Sequence, residues 1–193
     1  AVRVVKQIQA IPESAIPDRL LDEAKAIVVV PDTLKAGFML GGRRGLGLMA
    51  VKTPDGTWSN PVFVKLAGAS FGLQAGVQSA DIILVFTTRA GVEGITDGKL
   101  TLGADASVAA GPVGRAASAA TDPNLSAEVY SYSRAKGLFA GIAVDGTALT
   151  IDKNSNAAFY KRAGITASDI LSPNAPAPDS AARRYLSTLD NLA

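Results

Sequence analysis

"LGGRRGLGLMAVKTPDGTW", residues 40–58, sets two adjacent arginines among glycines, alternates small and apolar residues, and reaches Asp-Gly before a tryptophan. Glycine lets a backbone come close to a ligand, and arginine is well shaped to grip phosphate. Gly45, Gly47 and Ala50 match the dinucleotide-binding fingerprint loosely. That fingerprint needs its glycines to open a helix, whose N-terminus holds the pyrophosphate. Here they run into an alternating strand pattern, and Asp55-Gly56 is a hairpin signal. The stretch therefore reads as strand, turn and strand, with Arg43 and Arg44 at the tip of a preceding glycine turn. No Gly-Lys-Ser/Thr phosphate loop occurs elsewhere.

Working outward, the same texture recurs. "AIVVVPD", "AGFML", "GLGLMAVKT", "PVFVKLAG", "ASFGLQAGV", "ADIILVFTT", "KLTLG", "ASVAAGPVG", "EVYSYS", "LFAGIAV" and "ALTID" are short, β-branched or alternating, and bounded by Gly, Pro or Asp. Asp-Gly recurs at 97–98 and 145–146, and all three pairs are expected between paired strands. Helical spacing flanks this region. Val4, Val5 and Ile8 share one face of residues 2–11, and "PDRLLDEAK" restarts the pattern after Pro17. "NSNAAFYKRAG" (154–164), "TASDIL" (166–171) and "SAARRYLSTLDNL" (180–192) read as helices, the last presenting Ala182, Tyr185, Leu186 and Leu189 on one side. The expectation is an α+β fold: a curved, mostly antiparallel β-sheet or barrel of about eight to eleven strands, with N-terminal and C-terminal helices. One domain over 1–193 is expected, its core spanning about 17–170 and residues 172–193 forming a Pro-rich linker and end helix.

Composition narrows the chemistry. The chain has 193 residues, 48% of them hydrophobic, with no cysteine and no histidine. Disulfides, thiolate nucleophiles, Cys/His zinc sites and the Ser-His-Asp triad are thereby excluded. The reading is of a non-enzyme without cofactor or metal. A net charge of +2 is too small for a generic nucleic-acid binder, so any anion binding must come from clustered charge. No apolar run approaches the ~20 residues of a membrane-spanning helix. The chain opens at Ala1, so an upstream piece, such as a secretion signal, is an expectation.

Several side chains invite two readings. Trp58 suits a membrane interface, but beside Pro61 a core or sheet-edge place is favoured. Asp81 and Asp105 sit among apolar neighbours and read as structural acids capping turns rather than a catalytic or metal-binding pair. Ser131 and Ser133 alternate with Tyr130 and Tyr132, and a serine nucleophile there would have only Lys136 nearby as a base.

"AKAIVVVPDTLKAGFMLGGRRGLGLM", "WSNPVFVKLAGASFGLQAGVQSADIILVF", "LGADASVAAGPVGRAA" and "YSYSRAKGLFAGIAVDGTAL" together resemble the SYLF domain family, in order and with similar spacing over about residues 17–170. The family occurs beside Src-homology or FYVE modules in eukaryotes and also in bacterial proteins. The resemblance implies non-catalytic binding of anionic phospholipids, phosphoinositides especially, and of actin filaments in fungal members. It implies a lipid-binding N-terminal amphipathic segment, whose counterpart here carries Val4, Val5 and Ile8. The basic candidates for that surface are Arg43, Arg44, Lys65, Arg115, Arg134 and Lys136. Each Lys or Arg near an anionic surface contributes about 1 kcal/mol, so a few converging cations suffice without high net charge. The alternative is a protein-interaction or scaffold module with an actin-filament or cell-envelope partner. The expected place is the periplasm or envelope of a bacterium; the alternative is cytoplasmic, peripheral to a membrane.

Overall fold

All five residues of the run Ala26–Val30 are buried, and a strand covered on both faces must lie inside its sheet. The computed structural model, which describes residues 16–31, 43–68, 81–113, 127–135, 138–142, 144, 146–171 and 180–190, puts it there. In chain order the elements are α1 (Asp18–Glu23), β1 (Ala26–Val30), β2 (Arg43–Val51), β3 (Val62–Gly68) and β4 (Asp81–Phe86). Then come α2 (Arg89–Thr96), β5 (Lys99–Thr101), β6 (Val108–Ala110), β7 (Val129–Ala135), β8 (Leu138–Gly141) and β9 (Ala148–Ile151). Three helices follow: α3 (Lys153–Tyr160), α4 (Ala167–Leu171) and α5 (Ser180–Asp190). The strands form one curled sheet in the order β5-β9-β3-β2-β1-β4-β7-β6, with β8 also on β7. Every pairing is antiparallel except β6 with β7.

Both faces of the central strands are dry. On one, Val28, Val30, Met49, Val64, Leu84 and Phe86 meet Val92 and Ile95 of α2 and Ile170 of α4. On the other, Ile27, Val29, Ala50, Ile83, Val85 and Tyr132 meet Leu20 and Leu21 of α1 and Tyr185 and Leu189 of α5. Burying each such aliphatic side chain is worth roughly 1.5–3 kcal/mol, so the two helical layers hold the sheet from opposite sides. Gly47 shows how closely β1 and β2 approach. A Cβ there would lie 2.6 Å from Val30 Cγ2 and 2.7 Å from the Val29 carbonyl oxygen. The glycine exists for packing.

Along its free edge β7 has two partners. β6 pairs with residues 129–131 and β8 with residues 132–135. Where they meet, the buried Ser131 hydroxyl lies 3.2 Å from the Ala109 carbonyl and 2.9 Å from that of Ile142. A Cβ on Gly111 would fall within the Tyr132 ring, and one on Gly141 onto the Gly111 backbone.

The α+β expectation holds, and nine of the stretches read as strands are strands. "AGFML", "ASFGLQAGV" and the helix expected over 2–11 lie outside the described residues. Three details differ. Arg43 and Arg44 open β2, paired with Gly68 and Ala67, instead of capping a turn. Gly56 (φ 88°) does turn between the paired strands β2 and β3. Gly98 (φ 142°) instead links α2 to β5, and Gly146 (φ 84°) precedes β9, which pairs with β3 and β5 and not with β8. Finally, α2 occupies a stretch with only a weak helical signature. Thr88 caps it, accepting from Gly91 N, while Val92 and Ile95 anchor it in the core.

Candidate functional site

Strand register brings side chains together that lie far apart in sequence. Leu46 of β2 stands opposite Lys65 of β3, Lys65 opposite Thr150 of β9, and Thr150 opposite Lys99 of β5. Opposed residues share a sheet face, so these four form one row across four strands. The row lies on the face that carries Leu48 and Ala50, which pack into the core layer under α1 and α5. At Leu46 that cover ends. Its side chain is 57% exposed, the one large hydrophobic so exposed among the described residues. Lys65 is exposed beside it, Lys99 is exposed at the far end of the row, and Ala67 is exposed in the next row.

The Lys65 ammonium lies 3.9 Å from Asp152 Oδ1, whose side chain is buried. Asp152 caps α3, accepting from Ser155 N at 3.1 Å and from Ser155 Oγ at 2.6 Å. Lys65 is thus steadied at its tip while half its surface remains in solvent. Asn156, one turn into α3, accepts from Phe63 N at 2.7 Å and donates to Phe63 O at 3.2 Å. Its amide fastens the helix to β3 two residues from Lys65.

The other basic candidates distribute unevenly. Arg43 and Arg44 stand at the first two register positions of β2, beside the row. Arg134 lies on β7 opposite the buried Asp81, its guanidinium 4.0 Å from the carboxylate, so it closes a strand end. Arg115, Lys136, Val4, Val5 and Ile8 lie outside the described residues. Lys99 was not singled out in the sequence, although a lysine just after an Asp-Gly turn is a usual mark of an edge strand.

The remaining candidates have structural work. Asp105 accepts from Thr101 N at 2.7 Å and holds a turn. Tyr132 is fully buried, its hydroxyl donating to Pro112 O at 2.7 Å, and burial raises its pKa above the ordinary phenol range. Trp58 is half-buried, bridging to Lys52 at the mouth of the β2–β3 hairpin, with the Lys52 ammonium 5.4 Å from its ring centre. Among the described residues no group of three or more acids gathers as a metal site, and no helix is long and apolar enough to cross a membrane.

Fold and row together define a β-rich domain that offers a charged sheet face with an apolar point in it. Residues 67–192 match the family described as "Ysc84: Las17-binding protein actin regulator", and the chain belongs to that family. It is 38% identical over 151 residues to LAS seventeen-binding protein 3 of Saccharomyces cerevisiae, covering 77% of this chain and 33% of that protein. It is 37% identical over 172 residues to Protein YSC84 of the same yeast, covering 88% and 36%. It is 34% identical over 175 residues to the human SH3 domain-containing YSC84-like protein 1, covering 90% and 51%. The chain thus spans between a third and about half the length of these relatives. One of these names describes binding and none describes an enzyme, and all three proteins are eukaryotic, which lends nothing to the periplasmic, bacterial expectation.

Proposed function

We propose that this chain is a non-catalytic protein-interaction module, one domain in extent, whose partner belongs to the actin-regulating machinery of the cytoplasm. Family membership supports that partner class, since the family is described as Las17-binding and actin-regulating. The observation that carries the reading is the row Leu46–Lys65–Thr150–Lys99, whose Leu46, Lys65 and Lys99 are exposed on the sheet. An apolar anchor at the end of a row carrying two cations fits an acidic protein surface, where charge sets the encounter rate and orientation while the apolar contact slows departure. Co-sedimentation with filamentous actin tests it. The chain should pellet with filaments at low salt, and Lys65→Gln with Lys99→Glu should weaken this severalfold, at a cost in stability no larger than that of one half-exposed ion pair, about 1 kcal/mol. A chain that stays in the supernatant at every filament concentration refutes the actin reading.

A second reading, anionic phospholipid, is favoured by the same exposed Leu46. An aliphatic side chain beside a lysine, on a strand opening with Arg43 and Arg44, has the make-up of a head-group contact. Here Val4, Val5 and Ile8 would add an apolar segment, and Arg115 and Lys136 further charge. Vesicles containing phosphatidylserine should bind the chain in proportion to their anionic fraction, less so at high salt or after Arg43→Ala with Arg44→Ala. Equal binding to neutral vesicles refutes it.

A further inference from the structure

At the far end of β2 from the arginines, a second charged feature is built from three separate segments. Lys25, between α1 and β1, Lys52, just past β2, and Arg89, the first residue of α2, line a cleft of about 50 Å³. Its floor is Val51 and Val92, and Glu93 is the one acid on its rim. The backbone beneath is fastened. Lys25 N donates to Phe86 O at 2.6 Å, and Lys52 N donates to Lys25 O at 2.8 Å. Lys25 and Arg89 are exposed, and among the described residues no ion pair neutralises either of them or Lys52. Among the described residues the Lys52 ammonium meets the Leu21 carbonyl, 3.5 Å away, and the face of Trp58. Holding three cations around one small space costs self-repulsion, which an incoming anion relieves.

We propose that this cleft docks an acidic segment of a partner protein, one carboxylate side chain entering between Lys25, Lys52 and Arg89 with its methylenes on Val51 and Val92. This rests on the protein-interaction reading and names the chemistry of one contact. The volume admits a single carboxylate-sized group and nothing as large as an aromatic ring. The valine floor favours a carboxylate carried on methylenes over a bare phosphate, which gains nothing from apolar surface.

The test uses the full chain and a fluorescein-labelled peptide of glutamates spaced by leucine and serine, with its glutamine counterpart as control. Anisotropy should show the glutamate peptide binding more weakly as salt rises, and the glutamine peptide not binding. Lys25→Ala with Arg89→Ala should weaken the glutamate peptide roughly five- to thirtyfold, as expected for two charge contacts, with unchanged melting temperature. Amide shifts on titration should centre on Lys25, Lys52, Arg89 and Val92. Equal affinity for the two peptides, an unaffected double variant, or shifts centred elsewhere overturns the proposal. Displacement of the peptide by millimolar inorganic phosphate would reassign the cleft as a plain oxyanion site. Loss of phosphatidylserine-vesicle binding in the variant, with peptide binding intact, would reassign it to a membrane. Filament co-sedimentation separates the two levels. If the double variant still pellets and no peptide binds, the cleft fails and the module reading stands. If peptide binds but no filament does, the reverse holds.

Discussion

Replacing Gly47 by alanine tests the reading of β2 directly. The new methyl would sit 2.6 Å from Val30 Cγ2 and 2.7 Å from the Val29 carbonyl oxygen, where ordinary contacts begin near 3.4 Å. Val30 can turn its side chain, but the Val29 oxygen is backbone and can retreat only by parting β1 from β2. Burying the methyl returns at most about 0.8 kcal/mol. Overpacking of this kind costs typically 1–3 kcal/mol, and loosening a ladder hydrogen bond about 1 kcal/mol more. The net expectation is a loss of about 2–3 kcal/mol. For a chain of this size each kcal/mol is worth roughly 2–4 °C in melting temperature, so Gly47→Ala should melt about 4–12 °C below the parent. Leu46→Ala, one residue away but largely exposed, should fall within roughly 0.5 kcal/mol of it. Thermal and urea melts of the three proteins decide the matter. A Gly47→Ala protein as stable as the parent would mean that the strands do not meet as described, and that the glycine serves a loop after all.

Three other perturbations follow from the same geometry. Asn156→Ala removes both bonds to the Phe63 backbone and should cost about 2–3 kcal/mol in urea unfolding, while Asn156→Asp should fail to rescue it at pH 7, a carboxylate having nothing to donate to Phe63 O. Tyr185→Phe removes a buried hydroxyl that has no partner among the described residues, so stability should hold or rise by about 1 kcal/mol; a clear loss would reveal a missing bond. The Thr53 and Thr57 hydroxyls, with the Thr57 amide, bond the exposed Asp55 carboxylate and hold its pKa down to about 2. Because the folded value lies below the unfolded one of about 4, the ordering of this turn should persist at neutral pH and fade as pH falls from about 4 through about 2. The Thr57 amide shift should titrate with that midpoint, and a midpoint near 4 would show the bonds are not made.

Most of the sheet was legible because its strands carry the local marks of strands. "AIVVV" and "DIILVF" are β-branched and bounded by Pro, Asp or Thr, and each became a fully buried strand. The helix "RAGVEGIT" was not legible, since two glycines argue against helix on propensity alone. They are there for room. A Cβ on Gly91 would touch Phe86, and one on Gly94 would meet Leu100 at 2.7 Å. Tertiary packing decided that segment; its local signals, the Thr88 cap and Val92 three residues before Ile95, are weak beside the two glycines. The candidate surface was half legible for a related reason. Lys65 stood out by charge, but its placement in line with Lys99 depends on β9 lying between their strands, which only the register supplies. Arg43 and Arg44 were misplaced at a turn tip because flanking glycines look alike in a tight turn and in a closely packed strand.

The divided margin of β7 limits how this protein can meet anything else. A long, flat outer strand is an open template on which another chain can lengthen the sheet, and such templates cause aggregation. Here β6 and β8 are three and four residues long and meet end to end, and the opposite border is the three-residue β5, with an exposed lysine at its start. Among the described residues neither border offers a run long enough to recruit a foreign strand. Short, divided borders of this kind hinder the domain from stacking on its own copies even when many are crowded together.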